Sequence, residues 1–187
     1  ILASQDNPVQ WNENGLAICT AQDAQTGARL TVSGEGGVYF TWQDDRNGGD
    51  EADVYIQHIS SDNVLTMPDN GLVISNESLI QKSPVVRNDG SGNAFVLWED
   101  GRRGSGAIFT QHLNTNGQLT LSENGMEIYY GVDGKSDNIK SERINDSDIL
   151  LYWEDRENGV NSTYNFGKIV SNDYGSTYQN AISVPNA

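Results

Sequence analysis

One eight-residue pattern recurs four times along the chain at a nearly constant spacing. Each copy has a serine or asparagine, then an aspartate or asparagine two residues later, and a large apolar residue at its end. The last copy is complete and reads Ser-x-Asp-x-Gly-x-Thr-Tyr over residues 171–178. The central positions are Asp6, Asp62, Asn116 and Asp173, which are 56, 54 and 57 residues apart. A period of this size is typical of repeat architectures.

A second motif, Trp-x-Asp followed by arginine, recurs once in each unit. The three tryptophans are 56 and 55 residues apart, so both motifs keep the same period. Because every unit repeats the motif, we interpret it as architectural, with tryptophan in the core and arginine paired with aspartate. The copies pair Trp42 with Asp44, Trp98 with Asp100, and Trp153 with Asp155.

Four short runs per unit have the β-branched and aromatic content of strands, and no helical periodicity is present. Glycine-rich or polar turns separate the first run from the second. The first-strand candidates are 28–32, 84–87 and 138–144, and the second are 38–41, 94–97 and 149–152. The third are 54–59, 108–113 and 163–170, and the fourth are 14–18, 70–74 and 124–128. The sequence therefore predicts an all-β chain of four-stranded antiparallel units.

The complete copy at residues 171–178 resembles the Asp box of sialidase-like β-propellers, which also lies between the third and fourth strands of a blade. The resemblance implies that each unit is a propeller blade. It also implies that Ser171, Asp173, Gly175 and Tyr178 hold a turn that stands away from the catalytic face. The repeats are similar, too, to those of large bacterial secreted and cell-surface propellers, including cargo of the type IX export route. That similarity implies an extracellular or cell-surface location.

The phase of the two motifs divides the chain into about three complete blades and one orphan outer strand. The divisions are residues 1–20, 21–76, 77–130 and 131–187, of which the first is the outer strand of a preceding blade. Three blades and an orphan strand do not close a ring of four to eight blades. We therefore expect the remainder of a larger propeller, or a second copy, as a partner.

Loops that follow the Trp-x-Asp motifs differ between units, and variation on a constant scaffold is where recognition is expected. The alternative is that they are solvated turns. The binding candidates in these loops are Asp45, Arg46, Asn47, Asp50, Arg102, Arg103, Glu157 and Asn158.

Arginines in the first strands are the candidates for catalysis. The resemblance implies a sialidase site in which three arginines hold the substrate carboxylate, beside a Tyr/Glu pair and an Asp acid/base. Arg87 and Arg143 precede their tryptophans by 11 and 10 residues, where they could reach a central channel, and Arg29 is a looser third. No Phe-Arg-Ile-Pro-type motif precedes them, so ordinary pairing with nearby acids explains them as well. His58 and His112 repeat at equivalent positions and are interpreted as scaffold.

Eleven basic and 26 acidic residues give the chain a formal net charge of −15. Nucleic acids and anionic membranes are therefore excluded as partners, and the apolar runs are too short to span a bilayer. No cofactor is expected. Calcium is the alternative, with Asp50, Asp53 and Asp89 as oxygen donors, although the full pattern of a calcium loop is missing.

These observations favour a non-catalytic propeller segment that binds or displays a glycan or a protein. Two alternatives remain open at this point. One is a sialidase-like glycoside hydrolase whose active site is shared with blades outside this chain. The other is a structural subunit of a surface assembly.

Overall fold

The structure of the protein is a computed structural model. It describes residues 13–34, 36–48, 51–104, 106–130, 136–145, 148–155, 164–171 and 182–185. The first six strands are β1 (Gln25–Val32), β2 (Val38–Asp44), β3 (Asp53–Ile59), β4 (Leu72–Ser75), β5 (Gln81–Asn88) and β6 (Ala94–Asp100). A 3₁₀ turn (Gly101–Arg103) follows, and then β7 (Ala107–Leu113), β8 (Met126–Tyr130), β9 (Ser136–Arg143), β10 (Asp148–Asp155), β11 (Tyr164–Ser171) and β12 (Ile182–Pro185).

These strands form three four-stranded antiparallel sheets, each built from four consecutive strands. We name them sheet 1 (β1–β4), sheet 2 (β5–β8) and sheet 3 (β9–β12). The all-β prediction and the prediction of four antiparallel strands per unit are confirmed. Within the described part of the chain no sheet closes on itself, and no helix there is long and apolar enough to cross a membrane.

The candidate strand over 14–18 is not a strand in the structure. Residues 13–20 are irregular, because a strand needs a hydrogen-bonded neighbour and no strand among the described residues pairs with this segment. The segment is instead tied to sheet 1 at its end. The backbone N–H of Thr20 donates to Oδ1 of Asn70 over 2.7 Å, and Nη2 of Arg46 donates to Sγ of Cys19 over 3.4 Å.

The same ties recur one unit further along the chain. The backbone N–H of Asn76 donates to Oδ1 of Asn124 over 3.1 Å, and Nη2 of Arg102 donates to Oγ of Ser75 over 3.2 Å. Residues 19–20 therefore contact sheet 1 in the same way that residues 75–76, at the end of β4, contact sheet 2.

Each first strand contains one residue in the left-handed backbone region. Gly27, Ser83 and Asn138 have φ of +64°, +55° and +56°, and all three lie at irregularities in strand pairing. Such a bulge bends the strand and increases its twist. The repeat is therefore a property of the backbone as well as of the side chains.

The three sheets stack face to face, so that sheet 2 has an apolar layer on each side. This follows from the two-residue alternation of side chains along a strand. Sheets 1 and 2 bury Tyr39, Val54, Ile56 and Ile74 against Val86, Val96, Trp98 and Phe109. Sheets 2 and 3 bury Phe95, Leu97 and Ile108 against Ile149, Leu151 and Trp153.

Strand direction divides the surface of the stack into two ends. First strands end and second strands begin at one end of each sheet, and the eroded boxes at 60–67 and 114–121 follow β3 and β7 at that same end. We call this the box end. The second strands, which carry the Trp-x-Asp motifs, terminate at the opposite end, which we call the motif end.

Candidate functional site

The Trp-x-Asp motif and its arginine form a buried clamp that is nearly identical in sheets 1 and 2. In sheet 2, Nε1 of Trp98 donates to Oδ2 of Asp100 over 2.7 Å. Arg102 donates to the same carboxylate from Nε over 2.8 Å and from Nη2 over 2.7 Å. In sheet 1 the corresponding distances for Trp42, Asp44 and Arg46 are 2.7, 2.8 and 2.6 Å.

Each clamp arginine also fixes the turn before the fourth strand. Nη2 of Arg102 donates to the carbonyl oxygen of Asn124 over 2.8 Å, and its guanidinium carbon lies 4.0 Å from the centre of the Phe109 ring. Gly125 follows with a φ of +86°, and its Cα packs against the Trp98 ring, so a side chain there would be excluded. The predicted pairing of arginine with aspartate is confirmed in sheets 1 and 2.

Arg46 and Arg102 were also predicted to bind a ligand, but both guanidinium groups lie mostly inside the clamps. Burial raises the pKa of Asp44, but hydrogen bonds from Arg46 and Trp42 outweigh it and hold that pKa below its usual value. In sheet 3 the ring of Trp153 is buried, while the side chain of Asp155 lies outside the described residues.

The other loop candidates at the motif end make local contacts. Nδ2 of Asn47 donates to Oδ2 of Asp53 over 2.5 Å, and Nε of Arg103 lies 3.0 Å from Oε2 of Glu127. Asp45 is half-buried. Asp50, Glu157 and Asn158 lie outside the described residues.

At the box end the first residue of each of the two described eroded boxes, at 60–67 and 114–121, holds its turn. Oγ of Ser60 accepts the N–H of Val64 over 3.3 Å, and Oδ1 of Asn114 accepts the N–H groups of Asn116 and Gln118 over 3.0 and 2.9 Å. A polar side chain that accepts backbone N–H groups is the turn chemistry that the pattern predicts. In the complete copy only the backbone of Ser171, in β11, is described, and Asp173, Gly175 and Tyr178 lie outside the described residues.

Asp89, the calcium candidate, already has nitrogen donors on both carboxylate oxygens. It accepts from the N–H of Ser91 over 2.7 Å and from Nδ2 of Asn93 over 2.6 Å, and it faces Nε2 of His112 at 3.5 Å. Burial opposes its ionisation, but these bonds lower its pKa to about 2. Asp53 differs, because burial raises its pKa. In the described part of the chain no group of three or more His, Cys, Asp or Glu residues could hold a metal ion.

The two histidines have the same bond on one side of the ring and different partners on the other. Nδ1 lies 2.8 Å from Oγ1 of Thr66 in His58 and 2.7 Å from Oγ1 of Thr120 in His112. On the other side of the ring, Nε2 of His58 lies 3.1 Å from Oγ of Ser33, whereas Nε2 of His112 faces the carboxylate of Asp89. Burial lowers the pKa of His58.

The first strands of the three sheets converge at the box end around a cleft of about 550 Å³. β5 contacts both β1 and β9 there. Equivalent positions of successive units line this cleft and differ in chemistry. One position is Thr31, Arg87 and Glu142, and the next is Val32, Asn88 and Arg143. We call it the axial cleft.

The axial cleft brings together two of the three candidate arginines. Nε of Arg87 donates to the carbonyl oxygen of Ser141 over 2.7 Å, and Nη2 lies 3.8 Å from Oε2 of Glu142. The guanidinium of Arg143 lies beside Gly90, where a Cβ would come within 2.7 Å of Nη2. Arg29 lies in the middle of β1, where it donates to the carbonyl oxygen of Ala28 over 3.0 Å, and it does not line this cleft.

A second cleft of about 620 Å³ adjoins the axial cleft and shares Ser33, Gly34 and Gly90 with it. Its other walls carry polar groups, including His58, Ser91, Thr115 and Asn116. Sequence reasoning did not single out Asn88 or Glu142 as site residues. Their signal is that each stands one residue from a candidate arginine and at a repeat position that another unit fills with an arginine.

The chain matches no model of a known protein family and no curated protein.

Proposed function

We propose that the protein is a β-propeller segment that binds or displays a glycan or a protein and carries out no catalysis itself. The observation that carries the proposal is the contrast between the clamps and the axial cleft. The clamps of sheets 1 and 2 repeat the same side-chain bonds, which is the behaviour of a scaffold. The axial cleft combines repeat-equivalent positions of different chemistry, which is where recognition develops on a constant scaffold.

Exposure of the outer face of sheet 1 supports the propeller arrangement. Leu30 and Val32 are 59% and 68% exposed, and they pair with Phe40 and Val38 on the same face. In sheet 2 the position equivalent to Leu30 is Val86, which sheet 1 covers completely. A further sheet of the same repeat, from the remainder of a larger propeller or from a second copy, would cover the face of sheet 1 in the same way.

The proposal includes an extracellular or cell-surface location, which the resemblance to bacterial surface propellers implies. It includes no cofactor, because the candidate calcium donor Asp89 already holds nitrogen donors. Its partners are a glycan or protein ligand and further blades.

A glycan array and a panel of fluorogenic glycosides test the function directly. We expect saturable binding without turnover. Turnover of a fluorogenic sialoside that disappears in Arg87→Ala, and persists in the Arg29→Ala control, would refute the proposal that the protein is non-catalytic. Binding that requires the motif-end residue Arg103 would place recognition in the loops after the Trp-x-Asp motifs.

One observation favours a glycosidase as the second candidate. Arg87 and Arg143 lie in a single cleft, as a site for a substrate carboxylate requires. Against it, the axial cleft lies at the box end, and the resemblance implies catalysis on the face away from the boxes. The turnover assay separates the two functions.

A further inference from the structure

We propose that the axial cleft is a binding site for a tetrahedral oxyanion, a sulfate or phosphate group carried by a larger ligand. This inference rests on the proposed binding function and names the chemistry that the binding site recognises.

The first support is the set of donors that converge on the cleft. Arg87 uses two of the five N–H donors of a guanidinium for the carbonyl oxygens of Ser141 and Val86, and its Nη2 is too far from Glu142 for a hydrogen bond. Arg143 lines the same cleft from the neighbouring first strand. Arginine is the preferred residue for phosphate-like groups, because its planar fork matches two of their oxygens.

The second support is the side-chain amide of Asn88. This residue is only 9% exposed, and its Oδ1 accepts the N–H of Gly90 over 2.5 Å, which fixes the amide. Its Nδ2 is buried and has no hydrogen-bond partner among the described residues, although the residue lines the cleft. A buried donor without an acceptor costs about 1–3 kcal/mol, so an acceptor supplied by a ligand would remove that cost.

Charge and shape point to the same class of ligand. Among the described residues that line the axial cleft, Arg87 and Arg143 carry guanidinium groups and Glu142 carries a carboxylate, and Nε of Arg143 also donates to the carbonyl oxygen of Asn145 over 3.0 Å. Arg87, Asn88 and Arg143 donate from two different strands. A tetrahedral anion offers an oxygen to each of three donor groups, whereas a carboxylate offers only two oxygens. The adjoining cleft, with its hydroxyl and amide groups, has room for the remainder of the ligand.

Titration of the intact chain with inorganic sulfate, inorganic phosphate, acetate and glucosamine 6-sulfate tests this site. Nitrogen-15 NMR would follow the side-chain N–H signals of Arg87, Asn88 and Arg143. We expect these signals to shift together and to saturate, with sulfate or phosphate binding tighter than acetate. If the sulfated sugar also shifts backbone signals of Ser91 and Thr115, the anion is recognised as part of a saccharide; if it shifts the same signals as free sulfate, the ion alone is recognised.

Asn88→Asp is the most informative variant, because it keeps the acceptor for the N–H of Gly90 and replaces the Nδ2 donor with an anionic oxygen. It should abolish oxyanion binding. Arg143→Gln should weaken binding about 10- to 100-fold, as expected for the loss of charge-assisted hydrogen bonds. Arg29→Gln is the matched control, since Arg29 lies outside the cleft, and it should leave the affinity unchanged.

The proposal is overturned if the chain shows no saturable oxyanion binding, if acetate binds as tightly as sulfate, or if Asn88→Asp leaves the affinity unchanged. Failure here is distinct from failure of the proposed function. If a ligand binds to Arg143→Gln as tightly as to the parent protein, the oxyanion site is refuted and the proposed binding function is not. Turnover of a glycoside refutes the proposed non-catalytic function, whether or not sulfate binds.

Discussion

Replacing Arg102 by glutamine should destabilise the fold far more than replacing Arg103, although the two arginines are neighbours in one 3₁₀ turn. The side chain of Arg102 is 19% exposed and donates to both oxygens of Asp100, which is itself buried. It also holds the carbonyl oxygen of Asn124 and covers one face of Phe109. Arg103 is 58% exposed and has a single pairing, with Glu127.

The magnitude follows from what each substitution leaves behind. Removing one partner of a buried pair costs about 3–5 kcal/mol, because the remaining charge stays buried without compensation. The Arg102 side chain is 19% exposed, so solvent screens its side of the pair, and Trp98 still donates to the Asp100 carboxylate. We therefore expect Arg102→Gln to lower the free energy of unfolding by about 2–4 kcal/mol. Arg103→Gln should lower it by less than about 1 kcal/mol, as is usual for exposed pairs.

Urea unfolding followed by tryptophan fluorescence and by circular dichroism measures both changes. A double-mutant cycle between Arg102→Gln and Asp100→Asn isolates the interaction between the two side chains, and we expect the double variant to lose less than the sum of the single variants. If Arg102→Gln costs no more than Arg103→Gln, or if the two clamp substitutions add without coupling, the clamp does not stabilise the sheet as argued.

Further predictions concern single sites. Since the pKa of Asp89 is lowered to about 2 in the folded state, its contribution is complete above its usual pKa of about 4 and is lost as the pH falls toward 2; acid titration should therefore destabilise the parent protein more steeply in this range than Asp89→Asn. Gly125→Ala should cost more than about 3 kcal/mol, because its Cβ would overlap the Trp98 ring. Gly48→Ala, which also has a positive φ but open space around it, should cost about 1 kcal/mol, and thermal unfolding of both glycine variants measures the difference. Leu79 is half-exposed with a φ of +71°, so Leu79→Asn should raise the melting temperature, and a lower melting temperature would show that the leucine side chain has a packing role.

The sheets could be predicted from the sequence because their determinants are local and repeated. A continuous apolar run marks second strands such as β6, and glycine-rich or polar turns mark where they begin. The clamp could be predicted because tryptophan and aspartate recur at one spacing in every unit, and an arginine follows the aspartate within two residues. Each of these signals lies within a few residues, and the period confirms it independently in several places.

Other features depend on contacts between residues that are far apart in the sequence, and a single sequence does not show these contacts. The run at 14–18 has strand composition but no strand partner among the described residues, so it stays irregular. Arg102 stands in a variable loop and was predicted to bind a ligand, yet its side chain folds back onto Asp100. Asn88 was not predicted as a binding residue, because an asparagine at the end of a strand is common. Only the structure shows that one of its donors has no partner among the described residues and that the residue lines a cleft with two arginines.

Repetition explains why the axial cleft, and not a clamp, is the place to look for recognition. A clamp residue contacts its own unit and the adjoining fourth strand, so the same bonds satisfy it in sheets 1 and 2 and one composition serves both. A residue at the box end of a first strand meets its counterpart from the neighbouring unit, as Arg87 meets Glu142 across to sheet 3. Identical charges there would repel one another, so the same charged residue is disfavoured in successive units. The architecture itself therefore creates a mixed site along the line where the first strands converge.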